Sequence, residues 1–318
     1  MKKLLFWIIS IVMGLVFACF LGEGGCRLFL NTRCLSGFLH YDERNLLYKY
    51  DKELGWFPIS GEEHYYTGSR KIFVKNNSVG FRDRDHGPKG KPRIIFLGDS
   101  FVWGYDVEQK ERFTEKLQKL LPDYEILNFG VSGYGSDQEY LILKKYFYRY
   151  KPDIVFLMFE DNDRDDNSTN VRYDGYYKPY FVIQSNKLVL KGIPVPKSQN
   201  YYYHEHSGFF KSYLFSAVLK VIFQIASPTI HVPDPTNNII CEMNSFLKAN
   251  NSTLIIGFID KDQDMESNCI KSNIPYIALQ TSYRYPGDRS HWTPKGHDFA
   301  CNATYDFLLK NSYIKNRR

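Results

Sequence analysis

From residue 93 onward the chain alternates short apolar runs with amphipathic stretches, and that alternation admits very few architectures. The run 93–97 is apolar and stops at Gly98, as in a strand buried on both faces. Residues 111–121 follow, with Phe113, Leu117, Leu120 and Leu121 on one helical face before Pro122. Runs 124–129 and 153–159 read as a second and third strand, with a helix at 136–150 between them. After an interruption the rhythm returns: a helix at 237–249, strands at 253–259 and 275–278, and a last helix with Thr293 as N-cap and Pro294 as its first residue. Strands joined through helices require right-handed crossovers and a parallel sheet covered on both faces. In such sheets ligands gather beyond the carboxyl ends of the strands.

The N-terminus sets a second constraint. Met1-Lys2-Lys3 precedes an uncharged run over 4–21, closed by Glu23 and Arg27. As a helix this run is just long enough to cross a bilayer, and the lysines favour a cytoplasmic N-terminus with the remainder sent across. Residues 1–22 are therefore expected to be an uncleaved signal anchor, with the rest outside the cytoplasm. A cleaved signal peptide, which would leave the protein secreted, is the rival. Its apolar region is usually shorter, however, and 17–21 hold no clean A-x-A pattern. Residues 23–92 lack periodicity and read as a juxtamembrane segment lying along a domain that fills 93–318. Within that domain 164–235 reads as an insertion, rich in Tyr, Asn and Pro, with one apolar helical stretch at 209–226.

A chain of 318 residues can bury one sizeable core, with or without a small subdomain. Its net charge of +6 is mild, and the basic residues are scattered except at 315–318, so nucleic acid is not indicated as a partner. None of the six cysteines forms a C-x-x-C pair, so neither a zinc site nor a redox motif is supported, and no metal or cofactor is expected. Cys26 with Cys34, or Cys241 with Cys269, can pair in an oxidising compartment; small buried apolar side chains are the equal alternative.

Four short motifs lie just after a strand or just before a helix. Gly98-Asp99-Ser100 follows the first strand, where a tight bend would present the hydroxyl at the carboxyl edge of the sheet. A hydroxyl is a weak nucleophile and needs a base within hydrogen-bond reach. Asp288 and His291, three residues apart near the end of the chain, supply one. The carboxylate can hold one imidazole nitrogen while the other faces Ser100. His297 is the competing imidazole, but it falls a turn inside the last helix and is expected to point elsewhere. Asn128-Phe129-Gly130-Val131-Ser132-Gly133 follows the second strand, and Glu160-Asp161-Asn162-Asp163 follows the third. These offer backbone and amide N–H groups for an oxyanion. Each motif alone is matched by ordinary capped turns and loop glycines.

Taken in order, G-D-S, N-x-G-x-x-G, x-x-N-D and D-x-x-H before the last helix resemble the SGNH, or GDSL-type, hydrolase superfamily from residue 93 to the C-terminus. The resemblance implies a three-layer α/β/α sandwich with a parallel flavodoxin-like sheet. An insertion covers its active-site edge, and an N-terminal transmembrane helix precedes it. It further implies Ser100 as nucleophile, Asp288 and His291 as the base pair, and the Ser100 N–H, Gly133 and Asn162 as the oxyanion hole. The third motif departs from the family at Glu160, where glycine is usual; this puts the local backbone path in question. Gly55-Trp56 and Gly80-Phe81-Arg82-Asp83 more loosely resemble features of membrane-anchored bacterial members.

The expected chemistry is attack of Ser100 on an ester carbonyl, giving an acyl-enzyme. The substrate would be an acylated glycan or lipid outside the cytoplasm, with acetyl as the expected acyl group. An O-acyltransferase with the same residues, or a glycan-binding protein on a retired scaffold, are the competing readings. Tyr173, Tyr176, Tyr177, Tyr180, Tyr201, Tyr202 and Tyr203 crowd the insertion and suit either sugar stacking or plain packing of a cap. For the apolar stretch a buried cap helix is the expectation, with rest on the bilayer or an acyl groove as alternatives.

Overall fold

The computed structural model describes residues 2–30, 48–172, 175–198, 201–202, 212–287 and 291–315. Asp288, Tyr173, Tyr203 and Cys34 lie outside these, as does most of the basic tail.

The core is a five-stranded parallel sheet of β5 (Arg93–Gly98), β6 (Glu125–Gly130), β7 (Ile154–Phe159), β12 (Thr253–Phe258) and β13 (Tyr276–Ala278). Its spatial order is β13-β12-β7-β5-β6, so the first strand lies between the second and the third. This is the doubly wound, flavodoxin-like order expected above, and the crossing point falls at β5.

Alternate side chains of each strand go to opposite faces. Ile95 and Leu97, Val155 and Leu157, and Leu254 and Ile256 pack on one face with α4 (Ser136–Tyr150) and α7 (Thr236–Ala249). Ile94 and Phe96, Phe156 and Met158 pack on the other with α3 (Phe113–Leu120) and α9 (Pro294–Lys310). The three layers follow from this division. Thr293 caps α9 as expected, its Oγ1 accepting the Gly296 N–H at 3.3 Å. Beyond short helical turns, the structure adds α8 (Gln263–Lys271), capped by Asp262, whose polar composition hides a buried pair, Met265 and Cys269.

Residues 48–83 are more ordered than their missing periodicity suggests. Two antiparallel hairpins, β1 (Tyr48–Asp51) with β2 (Gly55–Pro58) and β3 (Glu63–Thr67) with β4 (Lys71–Lys75), bury Trp56, Phe57, Ile72 and Val74 in the first of the two cores. Strands of four and five residues are too short to display alternation convincingly.

The insertion begins with α5 (Asn162–Asn167) and the small hairpins β8 (Val171–Arg172) with β9 (Tyr176–Tyr177) and β10 (Tyr180–Gln184) with β11 (Lys187–Lys191). Its ends are tied by Arg164, which donates to Asp234 at 2.6 Å and Asp262 at 3.2 Å. Tyr176, Tyr177 and Tyr201 are buried within it, and the first and last pack edge-on against each other. For these three the packing reading holds. The helix α6 (Tyr213–Ala226) corrects an expectation. Residues 209–211 of the apolar stretch lie outside the described residues; the helix begins after Ser212, which caps it, and among its residues only Ser216 is buried.

At the N-terminus α1 (Lys2–Leu30) is one continuous helix, long and apolar enough to cross a bilayer. The apolar side chains between Leu4 and Leu21 are exposed along its length. Cys19, Cys26, Cys241, Cys269 and Cys301 are free thiols, so Cys241 and Cys269 do not pair.

Candidate active site

Strand β5 ends in a bend that leads directly into the short helix α2 (Ser100–Trp103). A Cβ on Gly98 would lie 2.3 Å from the Val102 side chain, so only glycine lets the strand fold back this closely. Asp99 caps α2, accepting the Phe101 N–H at 3.0 Å. Ser100 is thereby fixed at the carboxyl end of β5, 8% exposed.

Two buried side chains from elsewhere hold this helix in place. Arg82 donates to the carbonyls of Gly104 at 2.7 Å, Trp103 at 3.2 Å and Val107 at 2.9 Å. Asn128 donates to the Val102 carbonyl at 2.6 Å and accepts the Gly130 N–H at 3.1 Å. Asp83 accepts the Asn128 N–H at 2.9 Å. The sequence singled out both G-F-R-D and N-x-G. Their work as clamps on the nucleophile's helix shows only in three dimensions, because the partners are main-chain carbonyls up to 26 residues away.

The chain brings His291 to this point from 191 residues further on, and its Nε2 lies 2.7 Å from Ser100 Oγ. The Tyr105 ring stacks on the imidazole with centroids 4.3 Å apart, and Phe101 tilts against it at 5.2 Å. Main-chain bonds on both sides fix the loop: Tyr285 N–H to the His291 carbonyl at 2.9 Å, and Thr293 N–H to the Tyr283 carbonyl at 3.0 Å. Burial holds the imidazole pKa below its ordinary 6.5, against the upward pull of Asp99 and Asp106, and Arg284 lowers it further. A neutral ring with its proton on Nδ1 leaves Nε2 free to accept the Ser100 hydroxyl. His297 points away as expected: it is buried in the second core, where its Nδ1 accepts the Phe113 N–H at 3.3 Å.

The remaining residues are placed by the sheet order. Gly133 follows β6 and Asn162 follows β7, so the two segments leave the sheet from the strands on either side of β5, whose end carries Ser100. Gly133 has φ +82°, a conformation that side chains disfavour and that glycine takes freely. Asn162 opens α5 half-buried, and its Oδ1 is buried without a hydrogen-bond partner among the described residues. Glu160 is not among the residues with a left-handed backbone, so the departure from glycine in that motif needs no special path.

What Glu160 does instead is join a buried acidic cluster behind the serine. Burial, then the charge and hydrogen bond of Asp99, push its pKa up to about 11. Asp163 and Glu139 are raised well above the usual carboxylate range, chiefly by burial, and Asp166 is pushed up to about 7. Carboxylate oxygens of Glu160, Asp161 and Asp260 approach within 4.8 Å of one another, the spacing of a cation site. The donor set does not fit that chemistry well: Glu160 retains its proton, and Asp260 is paired with Arg284 at 2.7 Å.

These raised acids make stability depend on pH with a definite sign. Glu160 keeps its proton when folded and loses it above its ordinary 4.5 when unfolded. Its contribution is complete below 4.5 and is lost as pH climbs towards the folded value. The thermal midpoint should therefore fall as pH rises from 5 to 8. Glu160→Gln, which keeps the shape without the ionisation, should raise the midpoint more at pH 8 than at pH 5. An equal shift at both pH values would show that Glu160 is not held neutral.

No family model matches the chain, and no curated protein does. Among solved structures it is similar to the crystal structure of TesA, at 11% identity and a TM-score of 0.42 over 69% of this chain and 98% of that one. It is similar also to the psychrotrophic esterase EstA from Pseudoalteromonas sp., at 12% and 0.41 over 70% and 100%. A member of the lipolytic protein G-D-S-L family from Veillonella parvula matches at 11% and 0.38 over 67% and 96%.

Proposed function

We propose that this chain is a membrane-anchored serine hydrolase of ester bonds, acting through an acyl-enzyme on Ser100 upon an acylated glycan or lipid outside the cytoplasm. The observation that carries this reading is the 2.7 Å approach of His291 Nε2 to Ser100 Oγ at the carboxyl end of β5. The order of motifs, which resembles that of the SGNH hydrolases, supports the same roles.

In the first step His291 Nε2 takes the hydroxyl proton while Ser100 Oγ bonds to the ester carbonyl carbon. Asp288, three residues before the imidazole, is assigned the role of holding Nδ1–H and stabilising the imidazolium. The oxyanion is received by the Ser100 N–H, the Gly133 N–H and the Asn162 amide. Collapse expels the alcohol, which leaves with the proton from Nε2. Water, deprotonated by the same nitrogen, then attacks the acyl-enzyme, releasing the acid and restoring Ser100. The burial of His291 favours this cycle because it keeps the free base neutral near pH 7.

The test is labelling of the full-length chain in detergent with a fluorophosphonate probe, together with p-nitrophenol release from p-nitrophenyl acetate. A chain that neither labels nor turns over is not a serine hydrolase. With an oligosaccharide added, the partition between free acid and acylated sugar measures which acceptor the acyl-enzyme uses. Asn162→Ala should lower kcat by a factor on the order of 10²–10³ with little change in KM, since an oxyanion donor acts mainly in the transition state. Unchanged kcat would remove Asn162 from the site.

A further inference from the structure

Helix α6 belongs to the insertion, yet it packs against α1, nearly two hundred residues earlier in the chain. The contact is specific. The Glu23 carboxylate accepts the Ser212 hydroxyl at 2.8 Å and the N–H groups of Tyr213 at 3.1 Å and Leu214 at 2.9 Å. It thus satisfies the first turn of α6 from another helix. Gly22 of α1 lies against the Leu214 side chain, and the Arg27 guanidinium sits 4.8 Å over the Tyr213 ring. At its other end α6 is bound to the catalytic domain: Tyr177 Oη–H donates to the Ser227 carbonyl at 2.7 Å, and Asn170 Nδ2 to the Pro228 carbonyl at 3.2 Å.

Between the two helices runs an open groove of about 900 Å³, lined by Val12, Leu15, Val16 and Phe20 of α1 and by Leu214 and Val218 of α6. The outer side of α6 carries a continuous apolar stripe: Val218 is 48% exposed, Val221 53%, Ile222 52% and Ile225 77%. Positions 218, 221, 222 and 225 lie on one helical face, and a stripe of this kind is not left open to water without a partner.

We infer that α6 is a second bilayer-embedded element, seated beside α1 with its 218–225 stripe in the lipid, and that it holds the cap of the active site at the membrane surface. The inference rests on the reading of α1 as a membrane span. The occupant follows from continuity: the α6 side chains share their groove with Val12 to Phe20, which lie inside the uncharged run that a bilayer would enclose. Lipid around those residues necessarily reaches α6. A helix of 14 residues is about 21 Å long, shorter than the roughly 30 Å hydrocarbon core. It therefore lies in the interface of one leaflet without crossing: its first turn is held at the level of Glu23, where the apolar run ends, and its last by Tyr177 and Asn170 of the domain.

The test is tryptophan fluorescence of the full-length chain in phosphatidylcholine vesicles whose acyl chains are brominated at mid-length. Ile222→Trp is made in a Trp7→Phe background, which leaves the native Trp56, Trp103 and Trp292 buried in the domain. Emission added by Ile222→Trp should be lost largely to brominated lipid and hardly to aqueous iodide. Val221→Trp, equally exposed, provides a second position should the first perturb packing. Quenching by iodide alone overturns the inference, because the stripe then faces water. Protection from both quenchers also overturns it, because a protein surface or second copy then covers the stripe. Trp7 emission, read as parent minus Trp7→Phe, separates the two claims. If brominated lipid quenches Trp7 but not position 222, α1 spans and α6 does not enter; if it quenches neither, the anchor itself is wrong.

Discussion

Ser100→Ala should lower ester hydrolysis by the full-length chain by a factor on the order of 10⁴ or more and leave the fold intact. The loss is large because Ser100 Oγ, 2.7 Å from the base, is the atom proposed to carry the acyl group. The fold survives because the main-chain bonds of the turn do not involve that oxygen. Trp103 N–H still donates to the Asp99 carbonyl at 3.0 Å and Gly104 N–H to the Ser100 carbonyl at 2.9 Å. The side chain gives up bonds to His291 and Asp99 only, a cost of roughly 1–3 kcal/mol against total stabilities of about 5–15 kcal/mol. The readouts are p-nitrophenyl acetate turnover, fluorophosphonate labelling and the thermal midpoint by circular dichroism. Retained labelling would show that another nucleophile reacts, and the assignment of Ser100 would fail.

His291→Ala should cost a comparable factor, on the order of 10⁴ in kcat, and the double variant with Ser100→Ala should be no worse than either alone. Two groups that act as one unit lose their joint contribution at the first deletion. The loop itself should hold, because Trp292 is fully buried in the second core and Thr293 still caps α9. In the parent chain the same imidazole should set the acid limb of kcat/KM. Only the neutral ring can take the Ser100 proton, so activity falls as pH drops through the His291 pKa. Burial holds that pKa below 6.5, which places the limb on the acid side of an ordinary histidine. Additive losses in the double variant, or a limb above 6.5 in the parent, would count against His291 as the base.

Much of this architecture could be read directly from the residues. The apolar runs ending at Gly98, Phe159 and Ala278 are strands in the structure, and 136–150 is the helix α4. The capped start of α9 at Thr293 and Pro294 was equally plain. Such signals are local: alternation, helical spacing and capping are fixed by backbone geometry within a few residues. The candidate nucleophile, base and oxyanion donors were legible for another reason, namely the order of four short motifs along the chain.

What stayed hidden depends on distant partners. The hairpins over 48–75 form because Trp56, Phe57, Ile72 and Val74 find an uncovered part of the first core, and nothing in strands so short announces it. Arg82 is an unremarkable basic residue until the carbonyls of Trp103, Gly104 and Val107 converge on its guanidinium. An apolar composition suits a buried helix and a lipid-facing one equally, so the exposed stripe of α6 and its capping by Glu23 needed coordinates.

The sequence by itself determined the strands of the central sheet, most of the helices beside them and the candidate reactive groups, since each is written in neighbouring residues. Tertiary structure alone decided that a serine and an imidazole 191 positions apart meet, and that a cap helix rests on the N-terminal one. The reason is that such encounters depend on which faces must be buried together, and that is settled by the packing of the whole chain.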